Sequence, residues 1–391
     1  MLKMNFVIFS YNFPPGNDAE AFCTARFASA LVHCGHNVHV VTMDRVAKID
    51  KYIYDQVVDA RITITRVPDK NRRLPLFSRL RFVTNSAGAE NFSECIKAVK
   101  NALRKYDNPI LISRANPNSS MIIGWYCRKF ASVWIAHASD PIPIPGRDTN
   151  PLSRYRFEYR YWMKKALKDA DYVSVTCDNA IRAFKEEYGC LTRDVKFIVT
   201  PHIGHPPLKI KDPGCERSCR LGMEEKLIVH KGVLCNGRGG PELADAVRML
   251  NREGKRCAFV QVGPLENETD LFDKDRLVRR SKYADADVLY VPDLQVPLPF
   301  CPFLSSKIVY MIYTDKPILL FSHVDGASAE LARKYPEAGI FFADFTKPET
   351  LINALRSALN CTNCEIDRSR IRMEFMREKI VRNFVKAIGG K

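Results

Sequence analysis

Residues 4–43, MNFVIFSYNFPPGNDAEAFCTARFASALVHCGHNVHVVTM, constrain the fold more than any other stretch. The apolar run Phe6-Val7-Ile8-Phe9 reads as a buried strand, and the loop Pro14-Pro15-Gly16-Asn17 ends it. Residues 19–34 then read as a helix, with Ala25, Ala28, Leu31 and Val32 on one apolar face. Gly35 stops that helix where a left-handed cap suits glycine, and residues 38–43 form a second strand. Strand, loop, helix and strand make a βαβ unit, which implies a parallel sheet covered on both faces. Ligands of such sheets bind beyond the carboxyl ends of the strands, where the Gly16-Asn17 loop lies. The loop is not GxGxxG, so a dinucleotide fingerprint is absent.

A chain of 391 residues exceeds one comfortable core, and two domains are expected. No apolar run approaches the ~18 residues of a spanning helix. Residues 1–10 lack the apolar core of a signal peptide, so the expected location is the cytoplasm. The net charge of +16 favours anionic partners. No zinc finger, RNP pattern or KH loop is present, so nucleic acid is not expected, and a membrane surface or a nucleotide phosphate suits the charge better. The 13 cysteines are scattered and suit a reducing compartment as small buried hydrophobes. A zinc site would need Cys215/Cys219 to meet Cys361/Cys364, and the first pair has CxxxC spacing; free thiols are the expectation.

Along the first half, strands are expected at 61–67, 109–113, 133–137 and 196–200, and helices at 91–105, 119–130 and 153–170. Residues 69–82 (DKNRRLPLFSRLRF) read either as a basic, apolar segment for an anionic bilayer surface or as a loop on the sheet edge. The strand at 133–137 runs into Ser139-Asp140-Pro141, which places Asp140 at a ligand-binding end or in a turn. The stripe Phe157, Tyr161, Lys164/Lys165, Lys168 has helical spacing and is read as core ahead of a binding surface. Residues 168–175 (KDADYVSV) echo 283–291 (YADADVLYV), which suggests two similar α/β domains. Both echoes contain DxD, but ahead of a strand, and are read as caps instead of a metal–diphosphate site.

Prolines crowd 201–222, the expected linker. The second domain opens with a strand at 226–231, a glycine-rich loop from Gly232 to Gly240 and a helix from Pro241. Glycines, Arg238 and a helix start form an anion site, or else a flexible turn. Further strands are expected at 257–262, 287–291, 317–321 and 339–343, and helices from Ser305-Ser306-Lys307 to 313, at 327–334, 348–359 and 366–388.

These motifs together resemble the GT-B glycosyltransferases related to glycosyltransferase family 4. The opening strand, PPG-N loop and "GHNVHVVT" look like that family's start. Gly232, Arg238 and Gly239 match its donor diphosphate loop, with arginine where lysine is usual, and Val233 stands where a second basic residue is usual. Val262-Gly263-Pro264 resembles the nucleotide-base strand end, and "ADVLYVPDL…SKIVYMIYTDKPILL" aligns Ser306, Lys307, Lys316 and Pro317 with the family. Tyr310 falls where a ribose-binding glutamate is usual, no E-x7-E motif is present, and the stretch between Pro264 and Asp285 is short for another βα unit. Asp140-Pro141 resembles the "DP" near sugar and acceptor.

The resemblance implies an α/β GT-B fold of two Rossmann-like, doubly wound domains facing a central cleft. Residues 1–200 would bind acceptor, 201–222 link, and 223–365 form a shortened donor domain, with 366–391 a helix packing back on the first domain. It implies a metal-independent transferase without cofactor, retaining by family analogy. Sugar would pass from a nucleotide-sugar to a glycan or lipid-linked acceptor in polysaccharide biosynthesis, in the cytoplasm or peripherally at the inner membrane face. Asp140 and Arg238 are the expected catalytic residues. Gly16, Asn17, Gly232, Arg238, Gly239, Gly263, Ser305, Ser306, Lys307 and Tyr310 are the expected donor contacts. Tyr310 and the short donor domain also suit a non-catalytic GT-B scaffold in a glycan-assembly complex. A nucleotide-sugar epimerase of this fold ranks last, for want of a catalytic acid pair.

Overall fold

The computed structural model describes residues 3–44, 49–68, 91–115, 118–141, 143, 154–209, 224–234, 237–262, 278–281, 286–362 and 365–389. The segment 69–82, Gly263, Cys215, Cys219 and Cys364 lie outside these residues. The chain divides into two compact units, Met1–Ile203 with Phe375–Lys391, and Gly204–Glu374.

The first unit is built on a seven-stranded sheet of order β3-β2-β1-β4-β5-β6-β7, parallel throughout. Its strands are β1 (Asn5–Ser10), β2 (Asn37–Asp44), β3 (Thr63–Pro68), β4 (Ile110–Arg114), β5 (Val133–Ala138), β6 (Tyr172–Val175) and β7 (Phe197–Val199). Apolar side chains point to both faces of β1 and β4 because helices cover both, so these strands read as continuous apolar runs. Helix α1 (Ala19–His33) starts at Asp18, whose carboxylate accepts from Ala21 N at 2.9 Å. It ends before Gly35, which takes φ +92°. Helices α2 (Lys51–Val57), α3 (Phe92–Leu103), α4 (Ser119–Cys127), α5 (Arg154–Asp169) and α6 (Asp178–Tyr188) follow.

The stripe expected in the core lies outside it. On α5 the buried residues are Glu158, Tyr159, Trp162, Met163, Ala166 and Leu167. Phe157 and Tyr161 are 52% and 38% exposed, and Lys164 and Lys168 share their outward face. Two apolar stripes coexist on this helix, and periodicity cannot say which one meets the sheet.

The second unit carries a six-stranded parallel sheet, β10-β9-β8-β11-β12-β13. These strands are β8 (Lys226–Lys231), β9 (Cys257–Val262), β10 (Val278–Ser281), β11 (Val288–Pro292), β12 (Ile318–Ser322) and β13 (Ile340–Asp344). Strand β10 lies in the stretch that the sequence left without an element. Helices α7 (Gly240–Arg252), α8 (Ser306–Met311), α9 (Ala327–Lys334) and α10 (Thr350–Asn360) connect the strands. Leu243, Val247, Leu250, Leu351 and Leu355 bury one core layer against Phe259, Tyr290 and Phe321.

The single helix expected over 366–388 is two, α11 (Ser369–Glu374) and α12 (Arg377–Ala387). Met376 between them is extended, and the break falls where the chain leaves the second unit for the first. Helix α12 packs on α1 through Phe384 against Phe27, with ring centroids 5.3 Å apart, and through a 3.1 Å pair between Glu378 and His33.

The echoed segments have one structural role. Asp171 accepts from Trp134 N at 2.7 Å, and its own N–H donates to Trp134 O. Asp287 does the same with Leu227, accepting at 2.8 Å. Each clamps the amino end of a neighbouring strand, the edge opposite the one where such sheets take ligands.

Candidate functional site

Both sheets reverse strand order once, between β1 and β4 and between β8 and β11, and ligands of open α/β sheets bind beyond the carboxyl ends there.

In the second unit the loop after β8 meets the end of β11 at that point. Gly232 takes φ +118°, and a Cβ there would sit 2.7 Å from Lys307 Cε, so the Lys307 stem lies along bare backbone. Gln261 Nε2 donates to Gly232 O at 2.7 Å. Gly239 takes φ +63° at the start of α7, where a side chain would collide with Phe321 and Tyr290. The loop is tied down by Gln295 N donating to Gly237 O at 2.7 Å and by Tyr290 OH donating to Gly239 O at 2.9 Å.

His230, fully buried at the end of β8, donates from Nδ1 to Tyr290 O at 3.0 Å. Burial first, then the Lys307 and Arg238 charges, hold its pKa down to about 3. Asp293, just past β11, is 2% exposed and accepts from Ser322 Oγ at 2.7 Å. Burial raises its carboxyl pKa, against the Ser322 bond and the Arg238 charge. Arg238 is half-buried, and its Nε has no hydrogen-bond partner among the described residues. Two cations beside side-chain-free glycine backbone and a helix start form an electropositive setting that an anion would complete.

The structure thus brings Gly232, Gly239, Arg238 and Lys307 together. Ser305 caps α8 by accepting from Lys307 N at 3.3 Å, and Ser306 is that helix's first residue. Tyr310 turns its hydroxyl to Leu208 N, from which it accepts at 3.0 Å.

In the first unit the corresponding edge holds a buried polar ladder. Strand register aligns Ser10 with Arg114, Arg114 with His137, and His137 with Ser174, so the four side chains share one face. Arg114 Nε donates to Glu20 Oε1 at 2.9 Å, and Ser139 Oγ donates to Glu20 Oε2 at 3.0 Å. His137 lies 3.0 Å from Ser174 Oγ, and Ser174 donates to Thr200 at 2.9 Å. Burial, then the Arg114 charge, push the His137 pKa well down, so the imidazole is neutral. Gly16 is buried, while Asn17 and Asp140 are exposed. Glu20, Arg114 and His137 were missed in the sequence. The signal was a charged or polar residue at the end of each apolar strand run, and one glutamate on the face of α1 that meets the sheet.

Among the described residues no group of three or more His, Cys, Asp or Glu is placed to hold a metal ion, and the described cysteines are free thiols.

No family model matches the sequence, and no curated protein matches it. Solved structures do match over the full length. An alpha,alpha-trehalose-phosphate synthase (UDP-forming) from Burkholderia xenovorans, in complex with glucose-6-phosphate, is 12% identical, with TM-score 0.63 over 98% of this chain and 99% of that one. A glycosyltransferase from Rickettsia africae is 12% identical, with TM-score 0.62 over 100% of both chains. TarM is 8% identical, with TM-score 0.69 over 99% of both. At such identities the likeness is one of fold: the chain has the GT-B fold of two Rossmann-like units.

Proposed function

We propose that this chain of GT-B fold is a glycosyltransferase that moves a sugar from a nucleotide-sugar donor to a glycan or lipid-linked acceptor. The observation that carries the reading is the grouping of Gly232, Gly239, Arg238 and Lys307 at the strand-order reversal of the second unit. Glycine backbone lets a diphosphate approach closely, and the two cations oppose its charge. Charge grows on the leaving diphosphate in the transition state, so preorganised cations lower the barrier most there. Arg238, with an unused Nε, takes that role, and neither metal nor cofactor is invoked. Roles for Gly16 and Asn17 at the donor, for Gly263 at the base, for Ser305 and Ser306 at the phosphates, and for Asp140 at the sugar or acceptor belong to the same proposal. So do retention of configuration and a part in polysaccharide biosynthesis.

An anionic membrane surface is the proposed location. Phe157 and Tyr161 on α5, with Arg156, Arg160 and Lys164, line a hollow of ≈ 470 Å³. Exposed Tyr126 and Phe130 on neighbouring elements stand with Arg128, Lys100 and Arg104, which lie over aromatic rings. Aromatic side chains among cations suit an anionic lipid interface.

A second reading, a non-catalytic scaffold, is motivated by Tyr310, whose hydroxyl is committed to Leu208. Calorimetry of UDP-, GDP- and ADP-sugars with the wild type and Arg238→Ala separates the two. One donor that binds, with binding abolished by the substitution, upholds the transferase. A folded protein that binds none of them favours the scaffold.

A further inference from the structure

Helix α4 begins at the strand-order reversal of the first unit, its first residue, Ser119, five positions after Arg114 ends β4. Its N-terminus carries polar groups that nothing described uses. Asn118 is 1% exposed, Ser119 1% and Ser120 0%. Asn118 Nδ2 and Oδ1, Ser119 Oγ and Ser120 Oγ are all buried without a hydrogen-bond partner among the described residues. Four such atoms on three consecutive residues form the densest cluster of this kind in the described chain. An asparagine at a helix start ordinarily caps it, but Asn118 takes φ −58°, ψ −23° and makes no side-chain cap bond. Its backbone N–H donates to Tyr159 OH at 3.3 Å, which leaves the side chain uncommitted.

Buried polar atoms are almost always paired, so this cluster has room for a partner that the described residues do not supply. Side chains of a first helical turn lean toward the N-terminus, where the first N–H groups lack partners within the helix. Two hydroxyls, an amide NH2 and the positive end of a nine-residue helix are all donors or favour negative charge. They match the several oxygens of a tetrahedral anion better than a planar carboxylate or a single hydroxyl. Asn118 Oδ1 can accept from a hydroxyl carried beside that anion.

We propose that the N-terminus of α4, with Asn118, Ser119 and Ser120, binds the phosphate group of a phosphorylated sugar. If the transferase reading holds, the acceptor is phosphorylated; the assignment of acceptor rests on that reading, while the phosphate site itself does not.

The test is calorimetry on the full chain with inorganic phosphate, glucose 6-phosphate and glucose, for the wild type and a Ser119→Ala/Ser120→Ala variant, with UDP as the ligand for the second unit. The expected result is binding of inorganic phosphate, and glucose 6-phosphate bound at least ~10-fold tighter than glucose. The variant should lose at least ~10-fold in phosphate affinity, keep its UDP affinity, and melt no lower than the wild type, because two unpaired buried hydroxyls are gone. A purely structural role for the serines predicts lower melting with phosphate affinity unchanged, and that result overturns the site. So does failure of both phosphate and glucose 6-phosphate to bind. UDP binding without phosphate binding refutes the site and leaves the transferase reading. Phosphate binding that the variant loses, in a protein that binds none of the UDP-, GDP- and ADP-sugars, upholds the site and refutes that reading.

Discussion

Arg114 Nε donates to Glu20 Oε1 at 2.9 Å, joining the end of a central strand to a helix 94 residues earlier. The guanidinium side chain is 3% exposed and the carboxylate 9%. Removing one partner strands a buried charge, so Glu20→Leu or Arg114→Met alone should cost ~3–5 kcal/mol. The double substitution should cost less than the sum of the two, because it removes both charges together. Urea unfolding of the four proteins gives the coupling directly; additive losses would mean that the pair does not interact.

Arg368 is a second buried cation, held by backbone carbonyls. It is 3% exposed and donates to the carbonyls of Ala338, Thr314 and Lys316 at 2.7, 2.8 and 2.6 Å. Lysine cannot reproduce this fork, so Arg368→Lys should destabilise the second unit by ~2–3 kcal/mol. A thermal melt that matches the wild type would contradict the staple.

Gly239→Ala should be the more damaging of the glycine substitutions at the anion setting. Both positions hold positive φ, +63° at Gly239 and +118° at Gly232, but at Gly239 a Cβ also collides with the packed rings of Phe321 and Tyr290, whereas at Gly232 it meets the flexible end of Lys307. The expected cost is ~2–3 kcal/mol of stability with loss of donor binding. For Gly232→Ala, donor binding should fall more than stability, which parallel melting and calorimetry would check.

His230 makes stability depend on acid. Its folded pKa is about 3, while an unfolded histidine titrates near ~6.5. Above pH ~6.5 neither state binds the proton and the full stability is present. As pH falls from ~6.5 toward 3, only the unfolded state takes the proton, so stability drops by an amount on the order of 4 kcal/mol. His230→Gln should flatten that limb of the stability–pH curve. An unchanged limb would move the effect to His39 or His137, whose pKa values are also lowered by burial.

Phe157→Ser with Tyr161→Ser should weaken co-sedimentation with phosphatidylglycerol vesicles by at least ~10-fold, since each aromatic ring contributes ~1.5–3 kcal/mol when buried. Raising salt should weaken the wild type further through its cations. Equal sedimentation of wild type and variant would remove α5 from the membrane reading.

Most of the order of strands and helices was legible because apolar runs of strand length alternate with helical periodicity, but helices α2 and α6 and strand β10 were not expected. Gly35, Gly232 and Gly239 were legible too, because a backbone at positive φ leaves little choice of residue. The exposed face of α5 was not, since a helix with two apolar stripes looks the same until its neighbours are known. Nor was the break at Met376, where both flanking segments keep helical spacing. The glycine loop and most local elements depend on neighbours a few residues away and so could be read from the chain alone. The ladder from Ser10 through Arg114 and His137 to Ser174, and the unpaired groups at Asn118–Ser120, were decided only by the tertiary structure. Strand register and burial bring together residues far apart in the chain, and they set which polar groups lose water without gaining a partner.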